Sequence, residues 1–271
     1  MKSPTQNDPS SETSFLVIDT ESVPDGKLIG LVKYPDEMLT PEKAIEKARQ
    51  EAIENSYNGS DFLPVTFQIP VSVCVARVGE DFSLQSVRCI DAPRFRTREI
   101  VKLFWAGIDK YKGARLVTFN GRGFDLPLLE LAAFRYGLSM PMYYKKRNRY
   151  TGGDIDLMDW ITNFGAYRFP GGLDLLAKLL GKPGKMGGIA GHRVYEFYQN
   201  EEFQKINDYC MWDTLDTYFV FLRSRVMTGD IKLEEESELI GRAKDLLARQ
   251  IPENPALGEY LANWREQPGW P

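Results

Sequence analysis

Histidine and cysteine are scarce in this sequence of 271 residues, which has one histidine and three cysteines. A single histidine, His192, cannot supply the several imidazole ligands of histidine-rich zinc hydrolases and phosphohydrolases. Cys74, Cys89 and Cys210 are far apart inside apolar segments, so neither a disulfide framework nor a CxxC metal site is expected. Any metal chemistry must therefore depend on carboxylates.

Long apolar runs and an excess of positive charge are also lacking. No stretch of about 18 apolar residues occurs, and the polar start from Met1 to Ser14 does not have the pattern of a secretory signal, so we predict a cytoplasmic protein. The net charge of -4 and the pI near 5.3 argue against binding nucleic acid by bulk electrostatics alone. A polyanionic partner would have to be held at a local site.

The length and the 43% of hydrophobic residues suit one domain with a substantial core. We predict a disordered leader at 1–13 and a main domain at 14–227, which contains a polar, proline-punctuated insertion at 23–64. Residues 228–271 are predicted to form a helical extension that packs on the same domain.

Hydrophobic periodicity, caps and turn residues predict a mixed α/β pattern. A short buried strand at 15–18 is followed by a helix at 41–54, with Thr40 as N-cap. The next predicted elements are a hairpin of strands at 69–78 and 82–90, a helix at 96–111, a strand at 115–119 and a helix at 124–136. The chain after residue 151 is predicted to be mostly helical.

Two acids lie where the first strand ends. A period of two places Phe15, Val17, Asp19 and Glu21 on one face, so an apolar face continues directly into two carboxylates. The tripeptide Asp-x-Glu, formed here by residues 19–21, also occurs at ordinary solvated strand ends. The pattern alone therefore leaves both interpretations open.

Two more acids occupy inward-facing helical positions. Asp125 lies on the buried face of the first turn of its helix, where the helix dipole would stabilise it even without a functional role. Asp213 falls in a core-facing stripe of a long helix, and Tyr209, one turn earlier, projects to the same side. A buried carboxylate must be paired, hydrogen-bonded or bound to a metal, so a structural partner is the alternative.

Agreement among these separate elements favours a metal site. Four converging acids would repel one another unless a cation neutralised them. Oxygen ligands without histidine or cysteine favour Mg²⁺ or Mn²⁺ over Zn²⁺. Such a site suits hydrolysis of a phosphodiester with two ions about 3.5 to 4 Å apart, one activating water and the other stabilising the leaving oxygen.

Three segments resemble the motifs of DEDD 3'-5' exonucleases. They are Phe15 to Glu21, Thr118 to Asp125 (TFNGRGFD), and Tyr209 to Asp213 (YCMWD), which has the Tyr-x-x-x-Asp pattern of the tyrosine subtype. The chain most closely resembles the bacterial stand-alone exonucleases related to the proofreading domain of family-B DNA polymerases. The resemblance implies a ribonuclease-H-like α/β fold, a mixed sheet flanked by helices with a helical C-terminal half.

The resemblance also implies site roles. Asp19, Glu21, Asp125 and Asp213 would bind two divalent cations, Mg²⁺ or Mn²⁺, and Tyr209 would orient the attacking water. Asn120 and Phe124 would lie near the terminal nucleotide. The histidine subtype is excluded because His192 lies 21 positions before Asp213; His192 is interpreted as a helix-start or loop residue.

For the substrate, the basic and aromatic stretch 143–150 is the first candidate. Its cations are Lys145, Lys146, Arg147 and Arg149; a solvated basic loop is the alternative. The leading hypothesis is a 3'-5' exonuclease that releases nucleoside 5'-monophosphates from single-stranded nucleic acid with a free 3' end, DNA favoured over RNA, in DNA repair. An exoribonuclease or oligonucleotide hydrolase with the same site, or a non-catalytic binding module, are the alternatives.

Overall fold

The computed structural model describes residues 12–57, 59–146, 153–186 and 193–265. Of the predicted leader at 1–13, only the last two residues fall in this range, and Thr13 already opens the first strand. This strand, β1 (Thr13–Pro24), is longer than the predicted run at 15–18 because the pairing with its neighbour continues past the two acids. The acids are therefore inside a paired strand.

A five-stranded mixed sheet forms the centre of the molecule, which confirms the predicted fold class. Its other strands are β2 (Gln68–Gly79), β3 (Leu84–Cys89), β4 (Arg115–Thr118) and β5 (Ile155–Asp156), in the spatial order β3-β2-β1-β4-β5. The central β1 runs antiparallel to β2 and parallel to β4, and Asp19 is the register partner of Cys74. β3 and β2 form the predicted hairpin.

Helices cover both faces of the sheet. Their bounds are α1 (Gly26–Lys33), α2 (Pro41–Asn55), α3 (Thr97–Lys110), α4 (Asp125–Tyr136), α5 (Pro141–Lys146), α6 (Leu157–Ile161), α7 (Gly172–Leu179), α8 (Val194–Gln199), α9 (Phe203–Thr228), α10 (Leu233–Gln250) and α11 (Ala256–Ala262). None of the helices in the described ranges has the length and apolar character required to span a membrane.

The alternation of β1 separates two hydrophobic clusters. Phe15 and Val17 pack with α9, α10 and α11 on one face, whereas Leu16 and Ile18 pack with α3 and α4 on the other. Asp19 and Glu21 continue the first row, as the period of two predicts, and Thr20 continues the second. β1 thus presents acids toward α9 and a hydroxyl toward α4.

The polar segment after β1 is more ordered than the sequence suggests. The unpredicted α1 begins at an N-cap, Asp25, whose carboxylate accepts the amide of Leu28. The predicted helix at 41–54 is present as α2, capped by Thr40. α1 and α2 share a small core of their own, built from Ile29, Ala44 and the residue Leu63 before β2. The segment is therefore a packed helical hairpin.

Candidate active site

Three carboxylates converge between β1 and α9. One oxygen each of Asp19, Glu21 and Asp213 lies within 4.8 Å of the others. Glu21 is buried, whereas Asp19 and Asp213 retain partial exposure. β1 supplies the first two because consecutive odd positions share a face, and α9 crosses that face with Asp213 directed at them. The group is reachable from solvent, as a substrate site must be.

The electrostatics of this trio favour a bound cation. Burial, followed by repulsion from the neighbouring carboxylates, raises the pKa of Asp19 and Glu21 well above their usual values. Burial also raises the pKa of Asp213 to about 6. Within the described ranges, Asp19 Oδ2 is buried and accepts no hydrogen bond. An orphaned oxygen among crowded carboxylates fits a hard divalent cation, which would replace the missing partner.

Asp125 approaches the trio from the other face of β1. It opens α4 and is buried, and its Oδ1 accepts a hydrogen bond of 2.6 Å from the Thr20 hydroxyl. Burial raises the pKa of Asp125 to about 6, although the Thr20 bond lowers it. Asp125 is not part of the close trio, but its charge raises the pKa of both Asp19 and Glu21. The fourth predicted acid is thus close enough to Asp19 and Glu21 to act on their charge.

The turn that carries Asp125 is fixed by another buried acid, Asp156. The Asp156 carboxylate accepts the backbone amides of Asn120 at 2.8 Å and Arg122 at 2.9 Å, and it also caps α6. Asn120 adopts a left-handed backbone with φ of 63°. A Cβ at Gly121 would overlap the Thr118 side chain, so the tight turn requires glycine there. Asp156 therefore determines where α4 begins.

Tyr209 lies one turn before Asp213 on α9. Its ring is buried against Val23 and α8, and the interaction of its hydroxyl with the Asp213 carboxylate lowers the pKa of that acid. Burial and the three nearby acids raise the pKa of Tyr209. The phenol therefore stays neutral, with its oxygen free to accept a hydrogen bond from a third group.

The positive charge of one lysine acts on these acids. Lys185 is exposed, and its positive charge lowers the pKa of both Glu21 and Asp213. Its backbone amide donates to Asp174 on α7 at 2.7 Å, which holds the loop. The neighbouring Lys182 is instead buried, with its ammonium 4.0 Å from the Trp264 ring centroid. Of these two lysines, Lys185 is the one that can meet a substrate anion.

The predicted substrate-binding residues fall into two groups. Asn120 is exposed in the turn before Asp125, and Phe124 is half-buried directly beside Asp125. The second group is the basic stretch. The backbone of α5 extends to Lys146, and the Lys145 side chain is exposed. Tyr143 is instead buried against Trp105, and its hydroxyl donates a hydrogen bond to Glu130. Tyr143 therefore cannot stack on a nucleobase. Arg147, Arg149 and the lone His192 lie outside the described residues.

Sequence reasoning missed one acid behind the site. Asp216 is fully buried one turn after Asp213, and its Oδ1 accepts a 2.7 Å hydrogen bond from Tyr260 of α11. Burial raises the pKa of Asp216 to about 8. The helical spacing from Asp213 was visible in the sequence, but the partner is 44 positions away. Only the folded structure shows that the Asp216 carboxyl has a hydrogen-bond partner.

The sheet order, the flanking helices and the carboxylate cluster together define a ribonuclease-H-like protein with a nuclease-type acidic site. A model of a family described as predicted 3'-5' exonucleases related to the exonuclease domain of PolB matches residues 60–264, and the chain belongs to this family. The match includes Asp125 and Asp213 and runs through α10 and α11, whereas β1 with Asp19 and Glu21 precedes it. A search of curated proteins found no significant match.

Proposed function

We propose that this protein is a metal-dependent 3'-5' exonuclease that hydrolyses phosphodiester bonds at the ends of single-stranded DNA and releases nucleoside 5'-monophosphates. The observation that carries the proposal is the convergence of Asp19, Glu21 and Asp213, with Asp125 adjacent, in a chain of an exonuclease family. A module that only binds nucleic acid would gain nothing from acids facing phosphates.

Asp19, Glu21, Asp125 and Asp213 would together hold two divalent cations. Their oxygen donors suit Mg²⁺ or Mn²⁺. When bound, the two ions supply activation of water and stabilisation of the charge that develops at the phosphate and the leaving oxygen. Support comes from the raised pKa of these acids and from the unpartnered Oδ2 of Asp19.

Tyr209 and Lys185 would act on the water and on the substrate. The neutral Tyr209 hydroxyl interacts with Asp213, and its oxygen lone pair can accept a hydrogen bond from the attacking water and align that water with the phosphorus atom. Such a role for Tyr209 supports our assignment of the chain to the tyrosine subtype. The exposed ammonium of Lys185 would contact a phosphate oxygen, since it already lies in the field of Glu21 and Asp213.

Preference for DNA is supported by the family's relation to the exonuclease domain of PolB. Asn120 and Phe124 would contact the terminal nucleotide, and Lys145, Lys146, Arg147 and Arg149 would contact the strand farther from its end. The resemblance to bacterial stand-alone enzymes further suggests work in the cytoplasm, in DNA repair. We propose residues 14–227 as the exonuclease domain, with 23–64 as an insertion and 228–271 as an extension on the same core.

The test is digestion of a 5'-labelled single-stranded DNA with Mg²⁺ or Mn²⁺. The wild type should yield a ladder that shortens from the 3' end and disappears with chelator. Asp19→Asn and Asp213→Asn should each lower the rate by about two orders of magnitude or more, because a lost ligand removes several kcal/mol of transition-state stabilisation. Asp208→Asn changes an acid of the same helix outside the trio and should leave the rate unchanged.

Matched DNA and RNA oligonucleotides separate the proposal from its nearest alternative. Faster digestion of RNA would identify an exoribonuclease, because only contacts to the 2'-hydroxyl distinguish the two polymers. An intact strand that is bound but never shortened with either metal would overturn the catalytic proposal.

A further inference from the structure

A cavity of about 400 Å³ lies between the sheet and α3. Leu16 of β1 and Val75 of β2 line it, and both belong to the row of side chains that packs on α3. The carboxylates of Asp19 and Glu21 instead belong to the row that faces α9. The cavity is therefore on the opposite face of the sheet from the acids and is separate from the candidate active site.

Part of the cavity is strongly positive, although the chain as a whole has a net charge of -4. Its polar lining consists of three cations and two hydroxyls: Arg77, Arg88, Lys110, Ser86 and Tyr111. No acid lines this cavity, and within the described ranges none of the three cations forms an ion pair. Glu12 lines only an adjoining recess. This concentration of positive charge suits an anionic ligand.

The guanidinium of Arg77 is held in place before any ligand binds. Its Nε donates to the Ser86 hydroxyl at 3.0 Å, and its Nη1 donates to the Tyr111 hydroxyl at 2.7 Å. The bond from Arg77, together with the charges of Arg77 and Lys110, lowers the pKa of Tyr111. Arg88 is the register partner of Val75, so it is a diagonal neighbour of Arg77 on the same face. The remaining N–H groups of Arg77 can bind two oxygens of one phosphate.

The rest of the lining is apolar. It consists of Leu16, Val75, Ile90, Leu103, Phe104 and Ile108. Leu103 is 45% exposed, so part of this apolar surface faces solvent. Gly107 of α3 also lines the cavity, and a Cβ built there would have no atom within 4 Å. A flat apolar group thus has room to lie along α3, beside the cations.

From this lining we infer that the cavity is a second binding site, for a nucleoside monophosphate. The phosphate binds to Arg77, Arg88 and Lys110, and the base lies on the apolar side chains of α3. The volume falls in the usual range of small-molecule sites, about 300 to 1,000 Å³. The need for an anion joined to a flat apolar group follows from the lining alone. The choice of a nucleotide rests on the proposed function, because a nucleoside monophosphate is the product of that reaction.

The experiment is calorimetric titration of the full chain, freed of divalent cations by chelator and dialysis, with deoxyadenosine 5'-monophosphate. Deoxyadenosine and inorganic phosphate should each bind at least about 10-fold more weakly, because each lacks one of the two groups that the cavity contacts. Lys110→Gln and Arg88→Gln change exposed side chains and should each weaken binding of the nucleotide by about 3- to 30-fold. Lys102→Gln is the matched control, because Lys102 is exposed on the same helix outside the cavity.

Gly107→Met tests the cavity without removing a charge. The new side chain has open space, so it should fill the cavity and abolish binding of the nucleotide. The Tm should not fall, because methionine favours a helix more than glycine does. Gly241→Met is the matched control, since Gly241 is exposed within α10 and also has no atom near its Cβ position. This variant should bind the nucleotide as the wild type does.

The outcome for the cavity is separate from the outcome for the exonuclease, because binding is measured without metal and without hydrolysis. Nucleotide binding that Gly107→Met abolishes would support the site even if no DNA were digested. Digestion of DNA by a chain that binds no nucleotide would overturn the cavity site alone. Binding that is lost with Asp213→Asn but kept with Gly107→Met would place the nucleotide at the acids and overturn the inference. Equal affinity for inorganic phosphate and the nucleotide would overturn the nucleotide as the ligand.

Discussion

At the scale of single residues, the acids of the site oppose folding when no cation is bound. Their raised pKa values mean that the folded chain binds protons that the unfolded chain has released. For such groups the contribution to stability is fully present below the unfolded pKa of about 4 and is lost as the pH rises through the folded value. For Asp125 and Asp213 that folded value is about 6.

Binding of Mn²⁺ should therefore stabilise the protein in a pH-dependent way. In thermal unfolding, the rise in Tm caused by Mn²⁺ over chelator should be small at pH 5 and should grow between pH 5 and 7, because the ion competes with protons for the same oxygens. Asp213→Asn should abolish most of this rise.

Asp213→Asn should also stabilise the chelated protein at pH 8 by about 1 to 2 kcal/mol. One pKa unit corresponds to about 1.4 kcal/mol, and the partial exposure of Asp213 screens part of this energy. A metal-induced rise in Tm that is equal at pH 5 and pH 8 would contradict this account.

Some residues of the site could be predicted from the sequence, and others could not. The shared face of Asp19 and Glu21 follows from the period of a strand, and the position of Asp213 near them follows once α9 packs on that face. Asp216 was not predicted, because its role depends on a partner 44 positions away, Tyr260. Periodicity records which face a side chain occupies. It does not record which distant residue meets it there.

At the scale of elements, the two-residue strand β5 has an effect out of proportion to its length. Its second residue, Asp156, holds the amides of the turn between β4 and α4. Because α4 begins directly after this turn, the position of the Asp125 carboxylate depends on Asp156. Asp156 is close in sequence to two other acids, Asp154 and Asp159, and acids in such a cluster are commonly solvated turn residues. Burial and two amide contacts separate it from them.

Asp156→Asn should lower kcat/KM by about 10- to 100-fold, the effect typical of partners that orient metal ligands. The substituted amide offers one acceptor where two backbone donors converge, so the turn should loosen and the affinity for Mn²⁺ should fall in titrations followed by Tm. Asp159→Asn is the control on α6, because it removes only the partly exposed ion pair with Arg122, worth about 0 to 1 kcal/mol. If both variants bind Mn²⁺ with equal affinity, Asp156 does not position the site.

Most elements were predictable and their bounds differ by a few residues. The hairpin, α3, α4, α9 and α10 follow from strong periodicity and caps. α1 was not predicted, and α11 was predicted only as part of the helical extension at 228–271, because one is eight residues long and the other seven, too short for a clear periodic pattern. Their helical state depends on packing against α2 and α10. Tertiary contacts, and not local preference, form these helices.

At the scale of the whole molecule, the last two helices complete the core beneath α9. Leu239, Leu247 and Leu257 are buried in the cluster that includes Phe15 and Val17. Trp212 of α9 donates to the carbonyl of Ala256 at 3.0 Å, and Tyr260 donates to Asp216. The family match extends through both helices. The C-terminal part therefore supports the helix that carries Tyr209 and Asp213.

Tyr260→Phe tests this support. It removes one hydroxyl and leaves Oδ1 of Asp216 unpartnered in the core, which should cost about 1 to 3 kcal/mol in the free energy of unfolding by urea. Tyr57→Phe, at a fully exposed tyrosine, should have no measurable effect. Equal stability of the two variants would show that the bond between α11 and α9 contributes nothing.

The alternation of side chains along β1 also links correct folding to assembly of the acidic site. Asp19 and Glu21 face α9 while Thr20 grips Asp125 on the opposite side. If β1 paired with β2 one residue out of step, every side chain would change sides and both arrangements would be lost together. A chain misfolded in this way would have no assembled acidic site, because the same register shift disrupts both the hydrophobic core and the site.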